Sequence, residues 1–291
     1  MGINTTVEFN NPSARASLVG VAGVVVLGGL SVVAVAAGLW KVLAIAWVAF
    51  AAMAVGAGLG TRTGSTAPHR LVWGYGLASG AMVTSASMFL VPQAIGLGSG
   101  AGRPQLGGLG VALGLVVGYS AHVLGHRLTH LEVGVDLTTA QITAHALSAG
   151  LIIGLVYGSM PTLGLVLGLA IVSHKGPAGY AAARRLARRG RSAAALLLPA
   201  AGVGITAIPA AVVALPAVAG LQAVVFGFAA GIFLHIAMDF LPRCEAGSEI
   251  DQVCAIHEES HELLDELRTH AVGSTVVGGG VVALAWVALT A

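Results

Sequence analysis

The stretch TLGLVLGLAIVSHKGPAGYAAA, residues Thr162–Ala183, decides how this chain folds, because it is an apolar run of membrane length that is interrupted by His174 and Lys175. An ionisable side chain at membrane depth costs several kcal/mol unless it faces protein or water, so the two residues predict a buried site or a pathway. His145 and His174 both begin the pattern H-x-x-x-A-G, once as HALSAG and once as HKGPAG. Two polar breaks in paired helices are typical of a transport site.

The composition indicates an integral membrane protein. The chain is 56% hydrophobic and 9% charged, whereas soluble domains carry about 25% charged residues. Long apolar runs without alternation exclude strands. We therefore predict an all-α fold class, a polytopic integral membrane helical bundle of about nine spans with an internal repeat. The predicted spans cover residues 17–39, 41–60, 71–97, 106–124, 136–159, 162–183, 193–213, 217–241 and 272–290.

The chain divides into four predicted regions. Residues 1–65 form an N-terminal region with two spans, and residues 66–245 form a transport core. Residues 246–271 form an acidic cytosolic amphipathic helix, which precedes a final span at residues 272–291. The first span has a second interpretation as a signal peptide, although its apolar core is longer than the usual ~7 to 15 residues.

Basic residues predict the orientation in the membrane. Eleven Lys and Arg residues fall on one side of the predicted bundle, whereas only Lys41 and Arg103 fall on the other. The positive-inside rule then places the N-terminus in the cytosol and the C-terminus outside, as expected for a multi-pass protein of the plasma membrane. The arginine-rich run ARRLARRGR fits anionic lipid at the bilayer surface better than nucleic acid, which we do not expect as a partner.

Three stretches resemble the ZIP (Zrt/Irt-like) family of metal transporters. GLASGAMVTSASMFLVPQA (Gly76–Ala94) resembles a span that ends in L-L-P-E-A. AHALSAG and SHKGPAG resemble the paired HNxPEG-type metal motifs, and GFAAGIFLHIAMDFLPRCE (Gly227–Glu245) resembles the penultimate span. The resemblance covers roughly residues 71–290 and implies eight ZIP-like spans plus one N-terminal span. It also implies that a divalent ion such as Zn, Fe or Mn crosses at a mid-membrane site.

The motif match is partial. His145 and His174 match the first ligand of each motif, but Ala149 and Ala178 stand where the family has glutamates. Two neutral imidazoles hold a divalent ion weakly, and Lys175 would repel it if protonated. Alternatively, the histidines and neighbouring serines only connect helices in the bundle. The further candidate ligands at this site are Ser148, Ser173, Gln141 and, at its entrance, Asp136.

Two more clusters are predicted on the cytosolic side. His122, His126 and His130 share one helical face at the end of the fourth span, where they either capture metal or form a solvated helix end. The second cluster follows the helical spacing i, i+3 and i+7, which suits zinc, because thiolate and imidazole are good zinc ligands. It equally suits an amphipathic helix at the membrane surface. Its members are Cys254, His257 and His261.

The sequence contains no Walker A, G-x-S-x-G or H-E-x-x-H signature, so we expect neither an ATP-driven pump nor an enzyme. The leading hypothesis is a carrier that moves a divalent metal toward the cytosol, with the ion as substrate and no resident cofactor. The alternative is a ZIP-like sensor or scaffold that does not transport. The glycine-rich stretch Gly108–Gly118 permits close helix packing either within one chain or in a homodimer.

Overall fold

The fold is helical throughout the part of the chain that the structure describes. The computed structural model describes residues 12–62, 68–128, 137–160, 165–213, 218–244, 250 and 260–290. The α-helices are α1 (Pro12–Ala36), α2 (Trp40–Arg62), α3 (Pro68–Ser85), α4 (Val91–Gly100), α5 (Gln105–Leu128), α6 (Leu137–Ser159), α7 (Leu165–Val172), α8 (Lys175–Arg188), α9 (Leu197–Val213), α10 (Ala219–Asp239) and α11 (Ser260–Thr290). A π-helical turn, Ala86–Leu90, joins α3 to α4, and a 3₁₀ turn, Ala193–Leu196, precedes α9.

Seven helical segments in the described ranges are long and apolar enough to cross a membrane, which confirms the all-α, membrane-embedded class. One of them, Pro68–Gly100, runs through the π turn as a single 33-residue segment. The fourth predicted span lies on α5, where Gln105–Ser120 is the apolar part whose side chains are described. The sixth predicted span is divided into α7 and α8. The count of nine therefore stays a prediction.

Helices that are distant in sequence pack side by side in parallel. Along α6, Gly150 meets Val203 of α9, and Gly158 meets Ala211, so both helices advance in the same direction. The same relation holds for α2 with α8, for α3 with α11 and for α5 with α10. Each pair buries the face of one helix against a helix that follows much later in the chain, and these contacts build the core.

Glycines allow the closest of these approaches. A methyl group added at Gly114 of α5 would overlap the carbonyl oxygen of Phe228 in α10, and one added at Gly231 would overlap Val111. Small residues permit backbone contact of this kind between membrane helices. The glycine-rich face of α5 therefore packs within the chain, although Gly108 has open space around it.

The two terminal helices lie at the periphery of the bundle. Side chains such as Val25 and Val32 of α1, and Val276 and Leu284 of α11, are exposed, as expected for a surface that faces lipid. Helix α11 runs unbroken for 31 residues. The predicted boundary between a cytosolic helix (246–271) and a final span (272–291) therefore falls inside one continuous helix.

Candidate functional site

His145 and His174 meet inside the bundle. His145 lies on α6, His174 lies in the turn between α7 and α8, and their Nε2 atoms are 3.0 Å apart. His174 is fully buried, and His145 is 9% exposed. The repeated H-x-x-x-A-G pattern marked a polar break in each of two helices, and the structure brings these two breaks together. Whether the pair binds metal is a separate matter, and that part of the interpretation stays a prediction.

The break between α7 and α8 places His174 at a helix start. Ser173 and His174 form a turn, and His174 is the residue that immediately precedes α8 without capping it through its side chain. The unpaired N–H groups of a helix start carry a partial positive charge. The imidazole therefore lies at the positive end of α8, and this position disfavours a bound cation.

The glycine that ends each copy of the repeated motif also has a structural role. Gly150, which ends the first copy, faces the backbone of α9 at Val203, and Gly179, which ends the second, faces the backbone of α2 at Met53. A side chain at either position would overlap a carbonyl oxygen. In each copy of the motif, the histidine contacts the other histidine. The glycine five residues later lets a different helix, α9 or α2, pack closely against the backbone.

Phe233 of α10 completes the surroundings of the histidine pair. Its ring centroid is 5.3 Å from that of His174, nearly edge to face, and 5.7 Å from that of His145. Offset and edge-to-face rings at this separation attract one another. Phe233 therefore restrains both imidazoles and makes one wall of the site apolar.

Lys175, the first residue of α8, is almost completely buried. Its side chain is 1% exposed, and its Nζ atom has no hydrogen-bond partner among the described residues. A buried lysine of this kind carries its charge at a high cost, because no described carboxylate is hydrogen-bonded to it to offset desolvation.

The described part of the chain supplies no carboxylate ligand to the histidine pair. His145 and His174 belong to no group of three or more His, Cys, Asp or Glu side chains with ligand atoms close together, as judged on the described residues. The positions of the family's glutamates are occupied by Ala149 and Ala178, which are both buried. Within the described residues, a cation at this site would thus be held by nitrogen atoms without charge neutralisation.

Of the other predicted ligands of this site, the side chains of Ser148 and Ser173 are described. The hydroxyl of Ser148 donates to the carbonyl of His145, within its own helix. Ser173 is exposed although its neighbour His174 is buried, and its contribution to the same site stays a prediction. Gln141 lies on α6, where its backbone alone is described, and Asp136 lies outside the described residues.

The two clusters predicted on the cytosolic side fall largely on parts of the chain that the structure does not describe. His122 and His126 lie on α5, and His261 lies on α11, but only their backbones are described. His130, Cys254 and His257 lie outside the described residues. The metal-capture and zinc-site hypotheses for these residues therefore stay predictions.

Sequence reasoning missed a second imidazole contact on α10. His235 is buried, and its Nε2 atom is 3.5 Å from Oδ2 of Asp239, one turn later. The ring of Tyr119 lies edge on to His235 with the centroids 6.4 Å apart. The i, i+4 spacing of His235 and Asp239 was a usable signal, because it places both side chains on one helix face.

No model of a known protein family matches this chain, and no curated protein matches it. The resemblance to the ZIP family therefore depends on the three sequence stretches alone. What the geometry adds is independent of that resemblance: two histidines 29 residues apart in the chain share a buried site at a helix break.

Proposed function

We propose that the protein carries a divalent transition metal ion, zinc or else iron or manganese, across the plasma membrane toward the cytosol. The observation that carries this proposal is the buried contact between His145 and His174, with 3.0 Å between their Nε2 atoms, at the break between α7 and α8. Polar side chains at the break of a discontinuous membrane helix are a common way to build a transport site.

The spacing of the two nitrogens suits a metal ion. Two ligands of a tetrahedral zinc, each at ~2.0 to 2.1 Å, lie about 3.3 Å apart. The imidazole pair therefore needs only a small shift to exchange its shared hydrogen bond for a shared ion. Both Nε2 lone pairs must then face the ion, with the protons on Nδ1. Because Nδ1 of His145 has no hydrogen-bond partner among the described residues, binding is weak, which suits a carrier that releases its cargo.

The proposed topology has nine crossings, with the N-terminus cytosolic and the C-terminus external. For two helices that run in the same direction, the ordinal numbers of their crossings must differ by an even number. If α3 with α4, and α7 with α8, each count as one crossing, every parallel pair obeys this rule. For example, α5 and α10 become the fourth and eighth crossings, and α6 and α9 become the fifth and seventh. The excess of basic residues on one side supports the orientation.

The proposed mechanism is a rocking or elevator motion of the two halves about the site. The protein needs no resident cofactor, since the ion is the substrate, and we assign it no enzymatic activity. The lipid bilayer is its surroundings, and a homodimer is not required, because the glycine-rich face of α5 packs against α10 of the same chain.

A second function, a ZIP-like membrane sensor or scaffold that does not transport, is favoured by Lys175. This side chain is 1% exposed beside the histidine pair and has no carboxylate hydrogen-bonded to it among the described residues. A protonated ammonium there opposes a divalent cation. In this second function the cytosolic segment that contains Cys254, His257 and His261 senses the metal.

Metal binding by the purified full-length protein distinguishes the two functions. In titrations with Zn²⁺ or Mn²⁺ followed by calorimetry, we expect a weak component that disappears in His174→Ala. Ser159→Ala is the matched control, since the hydroxyl of Ser159 bonds only to the backbone of the same helix, α6. If the isotherms of the parent and of His174→Ala coincide, the pair does not bind metal and the sensor or scaffold function takes precedence.

A further inference from the structure

A group of three ionisable side chains lies where α3 and α11 run side by side, away from the histidine pair. Nε2 of His69 is 3.2 Å from Oε1 of Glu266, and Nε2 of His270 is 3.7 Å from the same oxygen. One ligand atom from each residue lies within 4.8 Å of the other two. No other group of this kind occurs among the residues that the structure describes.

Helix packing holds these side chains together. Glu266 and His270 are one turn apart on α11 and so share a face of that helix. Two contacts farther along fix the register of α3 against α11, since Gly76 meets Ser274 and Gly80 meets Thr275. A buried apolar cluster that includes Leu71, Val72, Leu264 and Leu267 lies beside the group. The position of His69 opposite α11 thus follows from the core of the bundle.

The three side chains have the chemistry of a divalent metal site. Two imidazoles and one carboxylate suit zinc and similar borderline ions, and three protein ligands leave a fourth position for water. Ligand atoms around tetrahedral zinc are about 3.3 Å apart, close to the separations of 3.2 Å and 3.7 Å. The side chains of His69, Glu266 and His270 are 40%, 59% and 36% exposed, so an ion reaches them directly from solvent.

We propose that His69, Glu266 and His270 form a binding site for a divalent transition metal ion such as Zn²⁺, separate from the proposed transport pathway. The bound ion links the first turn of α3 to α11 and replaces the contacts among the three side chains with three coordinate bonds. The proposal does not depend on transport, because none of the three residues contacts His145 or His174.

A hydrogen bond from Trp73 to His270 must break when a metal ion binds at this site. The indole N–H of Trp73 donates to Nδ1 of His270 over 3.1 Å. Nδ1 therefore holds a lone pair, and the proton of the neutral ring lies on Nε2, the atom that faces Glu266. A metal ion needs the lone pair of Nε2, so the proton must move to Nδ1, and the hydrogen bond from Trp73 must break. Metal binding and the Trp73 contact thus compete.

Cobalt binding tests the site itself, because Co²⁺ replaces Zn²⁺ and its visible absorption reports coordination by protein ligands. We compare the full-length protein in detergent with His69→Ala/His270→Ala and with His145→Ala/His174→Ala. We expect the first double variant to lose one equivalent of bound ion that the second retains. Glu266→Gln, which preserves the shape of the side chain, should weaken this site about tenfold or more. Equal stoichiometry in the parent and in His69→Ala/His270→Ala would overturn the proposal.

The competition with Trp73 gives a second readout. Trp73→Phe should tighten metal binding roughly three- to tenfold, the effect of removing one neutral hydrogen bond. It should also remove the change in tryptophan fluorescence that accompanies metal addition. The matched control is Trp47→Phe, since the indole of Trp47 also donates a hydrogen bond to a side chain, the hydroxyl of Ser31. If Trp73→Phe leaves both affinity and fluorescence change as in the parent, the assigned exchange of protons on His270 is wrong.

Discussion

At the scale of single residues, we expect Lys175 to weaken any binding of a cation by the histidine pair. Its side chain is 1% exposed, and it begins α8, where the helix dipole is already positive. An ammonium at 4 Å from a unit positive charge costs up to ~4 kcal/mol under an effective dielectric constant of 20, and more for a divalent ion. Removal of this charge should therefore strengthen metal binding.

The combined change Lys175→Asn and Ala178→Glu tests this reasoning. It removes the positive charge and supplies a carboxylate one turn after His174, so Zn²⁺ or Mn²⁺ affinity should rise about tenfold or more. His174→Ala should abolish binding at the pair. Lys41→Asn is the control, since it removes an equal charge at the start of α2. Calorimetry that detects no metal at this pair in the parent or in the double variant would show that the site is structural.

The sequence predicted the histidine pair but not all of its neighbours. His145 and His174 were found because the same H-x-x-x-A-G spacing occurs twice. Phe233 carries no such signal, since one aromatic residue in an apolar helix is normally only a packing residue. The exposure of Ser173 beside the buried His174 follows from the turn between α7 and α8. The apolar run, read as one span, could not reveal where that turn lies.

At the scale of helices, glycine residues determine how closely two helices such as α5 and α10 pack. Gly114 and Gly108 lie on the same helix, α5, but a Cβ atom at Gly114 would overlap the backbone of α10, whereas one at Gly108 would meet nothing within 4 Å. The composition predicted close packing through glycine, but it could not identify the partner helix. Only the tertiary contacts show that α10, which begins more than 90 residues later, fills this role.

Gly114→Ala should therefore lower the thermal stability of the protein in detergent, by the ~1 to 3 kcal/mol typical of an overpacked interior. Gly108→Ala should leave the stability unchanged or slightly increased, because alanine favours helix and the site is open. Thermal unfolding followed by intrinsic fluorescence measures both. Equal melting temperatures for the two variants would contradict the packing of α5 against α10.

At the scale of the whole molecule, the membrane class was predictable, whereas the number of crossings was harder to establish. Apolar length identified most spans, since few charges interrupt them. The sixth predicted span is divided into α7 and α8, each of which is shorter than a full span. The parallel packing of α6 with α9 and of α5 with α10 still constrains the number of membrane crossings, because the two helices of each pair must cross in the same direction.

Reporter fusions test the proposed alternation and its direction. With most basic residues on one side, a reporter fused after Gly190 should be cytosolic, and one fused after Ala291 should be external. A fluorescent protein that matures only in the cytosol and an alkaline phosphatase that is active only outside provide complementary signals. Two fusions on the same side of the membrane would require a different number of crossings.

Zinc uptake into liposomes tests the transport claim most directly. Vesicles that contain the purified protein and an internal zinc indicator should fill faster than protein-free vesicles. His174→Ala should reduce the rate to that of protein-free vesicles. Ser159→Ala should transport like the parent, because the hydroxyl of Ser159 bonds only to its own helix. If the parent fills vesicles no faster than lipid alone, or if His174→Ala transports like the parent, the proposed pathway past His145 and His174 is contradicted.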